Sequence, residues 1–416
     1  MPRPVAGDFY FQTDDLMKSN NSKKKIRILH LLTHLKKGGA ESNTFLAMEA
    51  LQDQDYEVHL GFGDSFEESE RYRALKMGIT TQKFSGLRNE LNLLSEFKAL
   101  KNIYQYLVSK KIDVIHTHQT KAGVLGRIAA GLASTPLVIY GIHGSTVSAH
   151  GQPLKSLLYF FEYITKFTTD HFVSVGEELR EEFVDNHFCS YENSTVIHSP
   201  IRLKEFYRAG QKKRRLKEKC SALFDLDPRN KIIGTVGRLN PSKGYKYIIE
   251  VASRIVKKYE NVTFLFVGGG NEDYKKKLRK LVIKKNLSQS IIFTGYQENI
   301  AELMGAFDVF LFASLREGLP QVLVQAATCA LPIVTFNVNG AKEVVEDGET
   351  GYIVPKGDID ELSQKLESLI ENPLEATQMG SKGQKAIDEN KWRPEKIKLE
   401  TVELYDKLTK QCGIKG

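Results

Sequence analysis

The feature that most constrains this chain is a regular exchange between short apolar runs and amphipathic stretches, sustained from residue 25 almost to the end. Six runs read as strands in the first half: 25–32, 56–63, 113–118, 136–144, 171–176 and 194–200. Five more follow at 231–239, 262–270, 290–296, 309–314 and 332–338. Most are separated by segments with apolar residues at helical spacing. A strand followed by a helix and then another strand gives a parallel pair, because the helix carries the chain back to the edge where the first strand began. The expected class is α/β, with two doubly wound, Rossmann-like domains facing a cleft. Ligands bind such sheets beyond the carboxyl ends of the strands, so the loops after each strand are where chemistry belongs.

A length of 416 residues suits two or three domains. Strand signals stop between Ile201 and Lys219, which divides the chain into units at 23–201 and 202–392. Residues 1–22 are polar and aperiodic and read as a disordered extension, and 393–416 read as a closing helix that crosses back to the first unit. No apolar run reaches the roughly 18–20 residues of a membrane span, and the N-terminus has no signal-peptide core. The expected location is therefore cytoplasmic. Cys189, Cys220, Cys329 and Cys412 lie far apart with no C-x-x-C pair, which argues against zinc and fits a reducing compartment.

The net charge of +8 gathers in "QKKRRLKEK" (211–219) and "YKKKLRKLVIKK" (274–285). These read as solvated helix faces, with an anionic membrane surface as the sharper alternative. Zinc-finger spacing and aromatic ribonucleoprotein motifs are missing, so no nucleic-acid partner is expected. "G-x-G-x-x-G" fails at Phe66, and no "G-x-x-x-x-G-K-[ST]" occurs, which disfavours a P-loop ATPase.

Four strand-end motifs carry the chemistry. Gly38 and Gly39 open a helix after the first strand, where free amides hold an anion or glycine merely permits the turn. Arg238 and Lys243 share the loop after the strand at 231–239; together they suit a diphosphate, or are surface charge. Gly268, Gly269 and Gly270 end the next strand, where backbone approaches closely or takes positive φ. Glu317 lies in "REGLP" (316–320), ahead of a helix expected to begin near Leu319 with Pro320 in its first turn. The amides of Gly318 and Leu319 then sit at the positive helix end, and Glu317 accepts from hydroxyls such as those of a sugar. Gln325, about a turn further on, meets a second set of hydroxyls. The plain alternative is a helix-start glutamate with a half-buried glutamine. In "DVIHTH" (113–118) and "YGIHGS" (140–145), His116, His118 and His143 lie at strand ends. A histidine pair with no third ligand nearby reads as packing rather than metal.

Taken in order, Gly38-Gly39, His118, the "VGRL…KG" loop and "EGLP" resemble glycosyltransferase family 4, retaining nucleotide-sugar enzymes of the GT-B fold. The resemblance spans about residues 25–410. It implies that Gly39 lies by the donor β-phosphate, that Arg238 and Lys243 bind the diphosphate, and that Glu317 contacts the donor sugar. It places His118 at the reaction centre, beside the acceptor, with His143 on the same side. Residues 23–201 would then bind the acceptor and 202–392 the nucleotide sugar. Two departures stand out: Gln325 replaces a second glutamate that contacts the ribose, and "IHSPI" (197–201) stands where Asn-Gly is usual. The implied donor is a nucleotide diphosphate sugar, most simply a UDP-sugar, and the acceptor a glycan or lipid-linked glycan of the cell envelope. No cofactor is expected. No essential metal is expected either, because Asp225-Leu226-Asp227 and Asp358-Ile359-Asp360 sit in a turn and at a helix cap. A sugar-nucleotide epimerase of the same fold and a non-catalytic binding protein are the competing readings. The aromatic stretch 153–167 reads as a core-facing amphipathic helix or as a patch that meets a membrane.

Overall fold

The computed structural model describes residues 25–90, 92–144 and 154–415. The extension expected over residues 1–22 lies outside them. The first half forms β1 (Ile26–Leu35), β2 (Tyr56–Phe66), β3 (Thr80–Lys83), β4 (Val114–His118), β5 (Leu137–Ile142), β6 (His171–Ser174) and β7 (Ser194–Val196). All pair in parallel, in the order β3-β2-β1-β4-β5-β6-β7. The second half forms β8 (Lys231–Val236), β9 (Val262–Val267), β10 (Ile291–Gly295), β11 (Val309–Phe312), β12 (Ile333–Phe336) and β13 (Gly351–Val354), ordered β10-β9-β8-β11-β12-β13, again all parallel.

Each sheet reverses direction beside its first strand, between β1 and β4 and between β8 and β11. The loops there diverge to opposite faces and open a crevice, so both sheets carry a natural ligand seat. β9 and β11 are nearly continuous apolar runs, and β1 is almost wholly buried, because helices cover both faces. Two strands escaped the sequence reading. "TTQK" (β3) is an edge strand without apolar pattern, and "GYIV" (β13) is a short edge strand in a glycine-rich stretch.

The basic segment after residue 201 is not a bare linker. Helices Leu203–Gly210 and Lys213–Phe224 bury Phe206, Ala209, Leu216 and Cys220 in the core of the second unit. The helix Pro394–Gln411 packs on the helix Gly39–Gln52, and Leu404, Tyr405 and Leu408 enter the core against β1, β2, β4 and β5. A loop–helix junction also joins the halves. Glu343 Oε2 lies 3.3 Å from His198 Nε2, while the amide of Glu178 donates to Glu343 Oε1 at 3.3 Å. Trp392 lies edge-on to His198 with ring centroids 4.9 Å apart.

Candidate active site

Two loops of the second unit are zipped together. Asn240 caps the short turn Pro241–Lys243 by accepting from the Lys243 amide at 3.2 Å. The Ser242 carbonyl accepts from the Leu315 amide at 2.7 Å and from Ser314 Oγ at 3.1 Å. Gly244 takes φ +67°, and a Cβ there would lie 1.7 Å from the Ala313 carbonyl oxygen, so only glycine lets the loop after β8 lie on the end of β11. That contact delivers Lys243 Nζ to 2.5 Å from Glu317 Oε1. The carboxylate is mostly buried and the ammonium half-buried.

The helix begins at Gln321, two residues later than the sequence suggested, with Pro320 as its extended N-cap residue. Gly318 and Leu319 therefore lie in the approach to the helix rather than in its first turn. Gly318 is fixed by close packing, since a Cβ there would fall 2.4 Å from the His143 carbonyl oxygen across the cleft. Gly39, Ala40, Asn43, His143, Lys243 and Glu317 help to line one cleft cavity of about 320 Å³. Gln321 borders this cavity and a second of about 560 Å³, which Gln325 lines together with Val236, Arg202 and Asn299. Glu317 and Gln325 thus serve adjacent chambers separated by one helical turn.

Arg238 does not lie on Glu317. Its Nη2 crosses the cleft and donates to the Lys37 carbonyl at 2.7 Å, ahead of Gly38. The anion nearest the Gly38 helix start is the chain's own: a Cβ at Gly38 would meet Glu41 Oε2 at 2.5 Å. Glu41 is buried, with Oε1 2.9 Å from His34 Nδ1 and 3.0 Å from Gln119 Nε2, which donates to it. Gln119 in turn accepts from the Thr33 and His34 amides and holds φ +64°, a costly conformation for a non-glycine residue beside a site. The sequence carried no local signal for Glu41 or Gln119, because only the fold brings β1 and β4 loops together. Gly269 lines neither of these two cavities, and its carbonyl accepts from the Leu239 amide at 2.8 Å. Gly268 and Gly270 answer the steric demand: their Cβ atoms would lie 2.1 Å from the Gly237 carbonyl oxygen and 2.4 Å from that of Leu239.

The histidines are less simple than a pair. His30 of β1 registers against His116 of β4, and His118 against Gly141 of β5. The third ligand that the sequence reading missed is His30: ligand nitrogens of His30, His116 and His118 lie within 4.8 Å of one another. Two of the three are hydrogen-bonded to each other: His30 Nδ1 is 3.0 Å from His118 Nε2, and His118 Nδ1 is 2.9 Å from His143 Nε2. His116 Nδ1 is 2.6 Å from Tyr405 Oη, which also reaches His30 Nε2 at 3.5 Å. Burial keeps all four imidazoles neutral. It pushes His30 down to about 3 and His143 to about 4. It also drives His116 and His118 well below the usual range, with neighbouring histidines adding to the effect. His118, with both ring nitrogens engaged, is buried and does not border the Glu317 cavity; His143 does, and His118 lines a smaller cavity behind it.

Of the Asp-x-Asp tripeptides, Asp227 forks onto Arg229 at 2.6 and 3.1 Å. Asp358 caps a helix by accepting from the Glu361 amide at 2.9 Å.

Two parallel-sheet, Rossmann-like units with a polar cleft between their strand ends define the GT-B fold. The family models agree: one described as Glycosyltransferase Family 4 matches residues 37–205, and one described as Glycosyl transferases group 1 matches 218–386. The chain belongs to this family and is a glycosyltransferase. It is similar to the UDP-Gal:alpha-D-GlcNAc-diphosphoundecaprenol alpha-1,3-galactosyltransferase of Escherichia coli, 28% identical over 84% of this chain and 89% of that protein. It is 26% identical to the capsular polysaccharide biosynthesis glycosyltransferase CapM of Staphylococcus aureus, over 88% of this chain and 93% of that one. Among solved structures, Anabaena HepE in complex with UDP superposes with a TM-score of 0.74 at 21% identity, over 92% of this chain and 100% of that chain.

Proposed function

We propose that this enzyme transfers a hexose from a UDP-sugar, with retention at the anomeric carbon, to a polyprenyl-diphosphate-linked glycan in cell-envelope polysaccharide synthesis. The observation that carries the reading is the Lys243–Glu317 pair facing Gly39 and His143 across one cleft. The names of the Escherichia coli and Staphylococcus aureus relatives and the UDP complex of HepE support the donor and acceptor classes.

The steps follow from the residues. Lys243 and Glu317 neutralise each other, and Arg238 rests on a backbone carbonyl. An incoming diphosphate competes for both cations. Lys243 exchanges a carboxylate for a phosphate oxygen, and Arg238 forks onto the diphosphate. Glu317 is released to accept from donor-sugar hydroxyls, while Gln325 offers an amide to the ribose in the neighbouring chamber. As the glycosidic C–O bond breaks, charge grows on the leaving β-phosphate, where the two cations already stand. The acceptor hydroxyl approaches from the face the leaving group occupies. It forms the new C–O bond and passes its proton to the departing phosphate oxygen. No protein nucleophile is needed, and metal is dispensable because the cations do its electrostatic work.

The helix Leu154–Thr165 and the turn after it present Phe160, Tyr163, Ile164 and Phe167 to solvent, with Lys166 over the Tyr163 ring at 4.0 Å. This face supports a peripheral seat on an anionic membrane, where a lipid-linked acceptor would be met. No described helix is long and apolar enough to cross a membrane.

The test is a panel of UDP-, GDP- and ADP-hexoses with a synthetic polyprenyl-diphosphate monosaccharide, run in EDTA. UDP release that depends on acceptor, with the donor's anomeric configuration kept in the product by NMR, is the expected result. Inverted product, or donor epimerised at C2 without acceptor, would remove the reading.

A further inference from the structure

A small cavity of about 50 Å³ lies behind the cleft in the first unit, bounded by β4, β5 and the last helix. Three side chains that line it carry buried polar atoms with no hydrogen-bond partner among the described residues: Asn43 Oδ1, His116 Nε2 and His143 Nδ1. Orphaned buried polar atoms are rare, and three around one void is a concentration that calls for a ligand. Gly141 keeps the void open. A Cβ there would stand 2.6 Å from His118 Nδ1, 3.0 Å from His116 Nε2 and 3.1 Å from His143 Nε2. The volume exceeds the roughly 10–15 Å³ that one water centre needs.

We propose that a buried water over Gly141 closes a ring of hydrogen bonds running His143–His118–His30–Tyr405–His116–water–His143. The links between protein groups are 2.9, 3.0, 3.5 and 2.6 Å. Donors and acceptors balance around the ring. Each neutral imidazole has one N–H and one bare nitrogen, and Tyr405 has one O–H. With Tyr405 donating to His116 Nδ1, His116 Nε2–H donates to the water, which donates to His143 Nδ1 and Asn43 Oδ1. His143 then donates to His118, His118 to His30, and His30 to Tyr405. Run in reverse, every link still pairs one donor with one acceptor: His143 Nδ1–H donates to the water, which donates to His116 Nε2 and Asn43 Oδ1. Reversal moves one proton along each link and creates no charge. By donor and acceptor count, a single water serves all three orphan atoms in either direction.

The ring has a consequence for catalysis. Its cleft end is His143, whose carbonyl packs on Gly318, the neighbour of Glu317. Its far end is Tyr405, on the helix Pro394–Gln411. Tyr405 is therefore a positioning residue: it holds the buried imidazoles behind the cleft in place, and through them His143.

A crystal structure at about 1.5 Å or better tests the site. The expected result is one solvent peak within about 2.7–3.2 Å of His116 Nε2 and of His143 Nδ1 or Asn43 Oδ1. A dry cavity would overturn the proposal, as would one equivalent of metal in the purified protein or an anomalous peak among the histidines. Tyr405→Phe, which removes only the ring's oxygen, gives the second arm. Long-range ¹H–¹⁵N spectra should show changed ring-nitrogen signals for His30, His116, His118 and His143 together. kcat should fall while donor KM stays within twofold of wild type. Signals changed at His116 alone, with kcat unmoved, would show that no ring connects Tyr405 to the cleft. Gly141→Ala should expel the water and reproduce the same spectral change; if it does not fold, the Tyr405→Phe arm still decides. Crystallography and spectroscopy need no donor, so a wrong donor assignment leaves this outcome readable.

Discussion

Acid should unfold this protein earlier than its carboxylates alone would dictate. Neutral imidazoles buried in the native state must be compared with exposed ones, which titrate near 6.5. His30 and His143 are pushed down to about 3 and about 4 by burial. The sign follows directly. Between the folded and unfolded values the unfolded chain binds more protons, so stability is full above about pH 6.5 and falls as pH drops. At pH 5 each of these two groups costs about 2 kcal/mol relative to pH 7.5, roughly 4 kcal/mol together. His116 and His118 move in the same direction, also through burial. His171, held at about 4 by burial with help from Lys407 and Arg180, adds to them. Asp170 and Glu178, raised by burial, oppose the trend, but carboxyls titrate mostly below this window. A loss of 4 kcal/mol or more is a large share of an ordinary domain's 5–15 kcal/mol. The assay is guanidinium unfolding followed by circular dichroism at pH 7.5, 6.5, 5.5 and 5.0, with Trp392 fluorescence as the probe at the junction. Unfolding free energies at pH 7.5 and 5.0 that agree within about 1 kcal/mol would refute the claim that these histidines are buried neutral.

Arg238→Ala should lower kcat/KM by about 100-fold or more, on the order of 3 kcal/mol of transition-state stabilisation, in a protein whose circular dichroism is unchanged. Near-normal turnover would show that the guanidinium only tethers Lys37. Glu317→Ala should lower kcat strongly, because donor hydroxyls lose a charged acceptor worth about 1.5–3 kcal/mol. Gln325→Ala should instead raise donor KM with little change in kcat, and Gln325→Glu should be tolerated; a Gln325→Ala enzyme with kcat abolished and KM intact would reverse these roles. Sedimentation with anionic vesicles should fade as salt rises and weaken in a Phe160→Ser/Phe167→Ser variant, whereas equal binding to neutral vesicles would remove the electrostatic part.

The alternation of strands and helices was legible because parallel sheets demand apolar runs of a recognisable length. β3 and β13 were not, since an edge strand needs no apolar face and "TTQK" has none. The motifs at Gly39, Lys243 and Glu317 were legible for a related reason: each sits immediately after a strand, where sequence position fixes spatial position. What could not be read was anything assembled from distant strands. His30 pairs with His116 only because β1 lies beside β4, and Tyr405 completes their network from near the far end of the chain. The Pro320 boundary was misplaced because proline also suits the residue that caps a helix from outside, where its extended backbone is no handicap. Arg238 was correctly placed on its loop, but nothing local could tell that it reaches the Lys37 carbonyl across the cleft.

The return of the last helix to the first sheet has a consequence for how the enzyme is made. The seven-stranded sheet is complete at Val196, yet Tyr405 leaves the ribosome about 200 residues later, a delay of roughly 10–40 s at ordinary rates of synthesis. Throughout that interval the nascent first unit exposes the apolar seat later filled by Leu404, Tyr405 and Leu408, and its histidines lack their phenol partner. The first unit to emerge is therefore the last to be finished, and a chain stopped anywhere in the second unit carries a sticky, unsealed sheet that quality control can recognise.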